Sequence, residues 1–204
     1  MVRKTADERK DEILRAALRL ADELGPDRLT TNAVAEAVGL TQPGIFRHFP
    51  TKTVLWQAVA ADIADRLQAA WGEARASSAT PEGRIVALVE AQLGLIEANP
   101  AIPAILFSRE LRVENDVLRQ SFVGLMTAFH GILAGELAAA RDAGTVRRDL
   151  APADGAVLLI SLVQGLAMRW SLGGRGFALR PEGARLLTVQ MALFLGSAIE
   201  GKQS

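Results

Sequence analysis

Residues 29–52 hold the side chains whose types and spacing suggest chemistry, and it is the chemistry of recognition. Gln42 carries an amide that donates and accepts at once, the pairing an adenine edge offers in the major groove of DNA. Arg47, His48 and Lys52 add positive or donor groups for phosphate, and Phe46 adds an aromatic face. Nothing comparable exists for bond making. The chain has two histidines, His48 and His130, and no cysteine. That excludes disulfides, thiolate metal sites and cysteine nucleophiles. No glycine-rich phosphate loop follows a strand, and no carboxylate–histidine spacing suggests a metal or a catalytic constellation. The expectation is a protein that is not an enzyme and carries no cofactor and no metal.

Two short helices must present these groups. Counting Thr31 as the first residue, the fifth, Ala35, is small where two steeply crossed helices would touch. The ninth, Gly39, can supply a left-handed turn. The fifteenth, Ile45, is a branched apolar residue able to point into a core, joined by Val34, Val38 and Phe49. Thr31 is expected to cap the first helix and Thr41 the second. Pro43 then falls in a first turn, where its missing donor costs nothing. The outward residues of the second helix are Gln42, Pro43, Gly44, Phe46, Arg47 and His48. Two core helices with an accidental glycine turn would share the Ala–Gly–Ile spacing, but would not leave Gln42, Arg47 and His48 on a solvent face beside Lys52.

The remaining periodicity is helical throughout. A first helix runs over about 9–24, with Ile13, Ala17, Leu20 and Leu24 on one face, ended by Gly25-Pro26. After the short pair at 31–38 and 42–48, a longer helix begins near Lys52 and fades by Ala76 before a Ser/Thr/Pro linker. Five more follow at about 82–98, 101–111, 116–143, 152–172 and 181–200. The segment 116–143 shows the clearest stripe: Leu118, Phe122, Leu125, Phe129, Ile132 and Leu137. The fold class is therefore all-α, about nine helices: a three-helix N-terminal domain over 1–52 and a larger helical domain over 53–204.

Charge restrains the functional reading. Lysine plus arginine number 23 and aspartate plus glutamate 23, so bulk attraction to nucleic acid is absent. Residues 1–52 hold nine basic and eight acidic side chains, a net of +1. Most of the acids gather in or beside the first helix, which leaves a local basic face near the second short helix. Arg3, Lys4, Arg9 and Lys10 form a basic N-terminal arm available for phosphate. Two uncharged runs, 155–168 and 186–199, are fourteen residues each, whereas a spanning helix needs roughly 18. Both read as core helices, and with no apolar leader the expected location is the cytoplasm.

From about Arg9 to Val59 the chain closely resembles the DNA-binding domain of the tetracycline-repressor (TetR) family. The residues that carry the resemblance are Thr30-Thr31, Val34-Ala35, Gly39, Phe46-Arg47-His48-Phe49 and Lys52. The resemblance implies that Gln42 and Pro43 read base edges, that Thr31 and Asn32 contact the DNA backbone, and that Lys52 opens a helix whose N-terminus favours phosphate. Phe46 stands where a tyrosine commonly touches phosphate, so that hydrogen bond is missing here. The resemblance further implies a homodimer through helices 152–172 and 181–200, with Ala156, Gly165, Ala192 and Gly196 allowing close approach. It also implies a repressor bound to a palindromic double-stranded operator and released by a small-molecule inducer. Expected pocket residues are Trp71, Phe107, Met126, Phe129, His130 and Trp170, with Arg109, Glu110 and Arg169 available to an anionic ligand. Plain core packing explains several of these equally. The alternative is a relative that binds the chromosome and acts through protein partners without an inducer.

Overall fold

The computed structural model describes residues 5–109 and 113–195. Arg3, Lys4, Glu110, Gly196 and the end expected for the last helix lie outside those residues. Among the described residues nine α-helices run in chain order: α1 Ala6–Leu24, α2 Thr31–Ala37, α3 Gln42–Phe46, α4 Lys52–Ala76, α5 Pro81–Ala98, α6 Ala101–Leu106, α7 Asp116–Asp142, α8 Pro152–Leu172 and α9 Leu179–Phe194. Among the described residues there is no strand, and a lone bridge joins Val146 to Leu195. The helices were legible because their ends are punctuated chemically. Thr5 and Glu8 form a capping box at α1, Pro152 opens α8, and glycines at 25, 39, 144 and 174 take positive φ at the exits.

The chain forms two compact units. The first comprises residues 1–66 and 99–125, the second 67–98 and 126–204. This division by packing differs from the boundary at residue 52 expected from the sequence. In the first unit α1 packs on α2, α6 and the 3-10 turn Pro26–Arg28, and α2 packs on α3. Ile13, Ala17, Leu29, Val34, Ile45, Leu55 and Ile63 are sealed from solvent there. In the second unit α5, α8 and α9 pack on one another. Gly183 is what brings α9 against α5. A Cβ at that position would overlap Leu93 Cδ1, so a larger residue would force that side chain aside.

α7 and α8 are long and apolar enough, by length and composition, to cross a membrane. Each turns one stripe inward instead, as the core helix of a globular protein does. On α7 that stripe is Leu118, Phe122, Leu125, Phe129, Leu133 and Leu137. Ile132, expected in the stripe, is half-buried at its edge, and Leu133 takes the core position.

Candidate nucleic-acid interface

The helix-turn-helix is built as its sequence requires, with one correction. Thr30, and not Thr31, caps α2: it is extended (φ −122°, ψ 151°), and its hydroxyl accepts from the Ala33 N–H at 3.1 Å. Thr31 is already helical, so its hydroxyl no longer faces the free donors of the first turn. Gly39 closes the helix at φ +66°, which lets the Leu40 N–H return to the Ala35 carbonyl at 2.8 Å. Thr41 caps α3 through the Gly44 N–H at 3.3 Å, and Pro43 follows in the first turn. Val34, Ala35, Ile45 and Phe49 are all buried. The second helix is shorter than expected: it ends at Phe46, and Arg47 and His48 continue as a turn.

That core fixes which side chains face outward. Thr41, Gln42, Pro43, Phe46 and Arg47 are exposed, and Gly44 and His48 are half-buried. All seven lie within one short segment whose inner side is locked by Ile45. Lys52 opens α4 just after Thr51, whose hydroxyl accepts from the Val54 N–H at 3.1 Å. Asn32 is exposed on α2 but its amide donates to Glu36 at 2.9 Å, so an acid accompanies it on that face. Thr31 beside it is half-buried.

Arg9 departs from the expected basic arm. Its guanidinium donates to Glu12 at 2.7 Å and reaches the Val38 carbonyl at 3.4 Å. It therefore fastens α1 to the end of α2, whose last carbonyls have no helical partner. The Arg9–Glu12 spacing on one helix face was the available signal. Thr51 caps α4 and Arg9 ties α1 to the end of α2, and neither was singled out for that role from the sequence.

The expected pocket residues separate. Trp71 stacks on Phe129 with ring centroids 4.8 Å apart, and its indole N–H donates to Gln92 at 2.9 Å. This is a filled, satisfied core contact. Trp170 is buried with the Arg175 guanidinium 5.6 Å from its ring centre. His130 is half-buried with Nε2 3.2 Å from the Ala153 carbonyl. Met126 is exposed, its sulfur accepting from Gln164. Phe107 is exposed and belongs to the first unit, whereas the other five belong to the second. Arg109 pairs with Glu114, and Arg169 with Glu182. A cavity of about 610 Å³ does exist in the second unit, but none of the six lines it. Among the described residues no cluster of three or more His, Asp or Glu could hold a metal.

Several known proteins share this geometry or its sequence. Residues 13–59 match the family described as "Bacterial regulatory proteins, tetR family". The nucleoid occlusion factor SlmA of Actinobacillus pleuropneumoniae is 28% identical over 138 residues, 65% of this chain and 68% of the relative. The SlmA of Vibrio cholerae is 30% identical over 130 residues, 61% and 66% of the two chains. A TetR-family transcriptional regulator from Rhodococcus sp. superposes with a TM-score of 0.78 at 25% identity, covering 92% of this chain and 98% of its own. A transcriptional regulator from Saccharomonospora viridis in complex with choline superposes at 0.82 and 19% identity, covering 94% and 100%.

Proposed function

We infer that this chain, which belongs to the tetR family of bacterial regulatory proteins and is a DNA-binding transcription regulator, represses transcription from a palindromic operator and leaves it when a small molecule occupies the body. The observation that carries the reading is the exposed set Gln42, Pro43 and Phe46 on a helix whose opposite side is sealed by Ile45, with exposed Arg47 directly after it. Such a helix enters the major groove N-terminus first. Gln42 and Pro43 read base edges; Thr31, Asn32, Thr41, Gly44, Phe46, Arg47, His48 and Lys52 position them on sugar and phosphate. The protein works in the cytoplasm, is not an enzyme, and needs no cofactor.

Operator symmetry requires a homodimer. α8 and α9 leave apolar residues in solvent: Val157, Leu158 and Leu172 on one, Val189 and Leu193 on the other. Apolar surface of that kind on a lone chain is an aggregation liability unless a second copy covers it. The dimer would hold two recognition helices over half-sites about 34–36 Å apart or a multiple of that. α4 runs unbroken from Lys52 to Ala76, so one helix carries both a phosphate contact and part of the body. The choline held by the Saccharomonospora neighbour supports a fold able to take a small guest.

The name shared by the SlmA relatives supports a second reading, in which the protein binds many chromosomal sites and acts through protein partners. Genome-wide mapping of bound sites separates the two. A few sites at one promoter favour repression, and scattered sites without a transcriptional change favour the second reading. The release step is tested by titrating a stabilising ligand with and without operator. Coupling of 1–3 kcal/mol changes affinity about 5–150-fold, and linkage demands the same factor in both directions.

A further inference from the structure

The cavity in the second unit is a groove along the exposed face of α7, and the function described so far does not use it. It extends from Ala128 to Ala139, roughly 16 Å of helix axis. Its volume of about 610 Å³ lies within the usual range for small-molecule sites. The floor is Gly131, Ile132 and Gly135. Glycine inside a helix weakens it relative to alanine, so such a residue usually answers a packing need. Here the described residues show none: a Cβ at Gly131 or Gly135 meets nothing among them within 4 Å. What the two glycines supply is room above the backbone.

One side of the groove is charged. Glu136 is buried, at 5% exposure, and each carboxylate oxygen accepts from one guanidinium: Oε1 from Arg75 at 3.1 Å and Oε2 from Arg84 at 2.8 Å. Two cations thus share one anion. Arg84 is well occupied, because it also donates to the Ala79 carbonyl at 2.8 Å and its side chain is only 22% exposed. Arg75 is 55% exposed, and the described hydrogen bonds engage only its Nε. Its remaining edge is a planar fork suited to a second carboxylate.

We propose that this groove binds a small organic carboxylate with a slender apolar body. The carboxylate sits on Arg75 and the body lies along Gly131, Ile132 and Gly135. The proposal rests on the small-molecule release described above and names the ligand class for it. Arg75 belongs to the last turn of α4, the helix that begins at Lys52. A ligand carboxylate on that open edge shares Arg75 with Glu136 and so bears directly on α4, the helix proposed to carry a phosphate contact.

The test is calorimetry on the full chain with octanoate and its neutral counterpart octanamide. Octanoate is expected to bind at least tenfold more tightly than octanamide. Arg75→Gln removes that preference, and Gly135→Leu fills the groove and weakens both by at least tenfold without lowering the thermal midpoint. Absence of octanoate binding, or unchanged binding in Gly135→Leu, overturns the proposal. So does a Gly135→Leu change in sedimentation mass with ligand binding intact, which assigns the groove to a second copy. Operator affinity measured in parallel separates the two readings. Octanoate that binds in the groove but leaves operator affinity unchanged sustains the carboxylate site and overturns release. Release by another molecule, equally effective on Gly135→Leu, sustains release and overturns the groove.

Discussion

The chain keeps two surfaces open, and they are opposite in kind. On α3 and the turn that follows it the exposed residues are polar or conformationally special: Gln42, Pro43, Arg47, with a single large apolar group, Phe46. On α8 and α9 they are aliphatic: Val157, Leu158, Leu172, Val189 and Leu193. Both rest on equally dry interiors, Ile45 beneath the first and Leu159, Leu187 and Met191 beneath the second. Burial therefore fixes each helix in the same way, and only the outward residues distinguish the partners. A polar face suits the hydrated edges of DNA, and an aliphatic one suits another copy of itself.

The sharpest way to break this comparison is to put a charge on the aliphatic face. Leu193, 64% exposed, and Leu187, 1% exposed, lie on the same helix. Leu193→Asp should leave a folded monomer by circular dichroism and sedimentation, with operator affinity reduced at least a hundredfold, since half-site pairing goes with the dimer. Leu187→Asp should unfold the chain, because an isolated charge in a core is prohibitive. If Leu193→Asp remains dimeric and binds operator normally, the aliphatic face is not the interface.

Smaller effects are expected on the polar face, and they should differ among themselves. Gln42→Ala should lose roughly 1–3 kcal/mol of discrimination at one base position and little elsewhere. Lys52→Ala should weaken all sequences alike and shallow the log–log salt dependence by about 0.9 for each phosphate left without its cation. Competition binding with single-base operator variants across a salt series reads both. A uniform loss from Gln42→Ala would make it a backbone-binding residue.

Below these come the caps. Thr30→Ala should cost about 1 kcal/mol of stability, whereas Thr31→Ala should cost far less, since the Thr30 hydroxyl holds the Ala33 N–H. Urea melts of the two variants decide. The pair also shows where the sequence stops being legible. Two adjacent threonines offer the same hydroxyl, and only the φ and ψ at which the chain enters α2 choose between them. By contrast, α4 starts and ends where its sequence says, at Lys52 and Ala76, because Pro50 and the Ser77-Ser78 linker flank a strong helical run. The reading head was legible because a tight turn restricts residue type at Ala35, Gly39 and Ile45. The groove was not. Trp71 and Phe129 attract attention by size, yet they fill space against each other. Gly131 and Gly135 shape an opening by having no side chain, and periodicity cannot register an absence.

The smallest expected effect concerns what holds the aliphatic face in register, and it separates fold from recognition. Glu182, in the first turn of α9, accepts from Arg185 and from Arg169 of the last turn of α8, both at 3.0 Å. Arg169 itself lies over the Phe177 ring, 4.7 Å from its centre. The Arg185 hydrogen bonds, then that from Arg169, pull the Glu182 carboxyl down from 4.5 to about 2. A carboxyl lowered by folding stabilises the native state above its unfolded pKa, and that contribution disappears as pH falls through the folded value. Wild type and Glu182→Gln should therefore differ in thermal midpoint at neutral pH and converge between about pH 4.5 and 2. The difference should also shrink in high salt, because the pair is reached by solvent and exposed charges are screened. The operator salt slope should stay at the wild-type value in Glu182→Gln, since every phosphate-binding cation remains in place. A midpoint difference that persists at pH 2 would mean that the ion pairs do not stitch α8 to α9, and that the apolar contacts between them act alone.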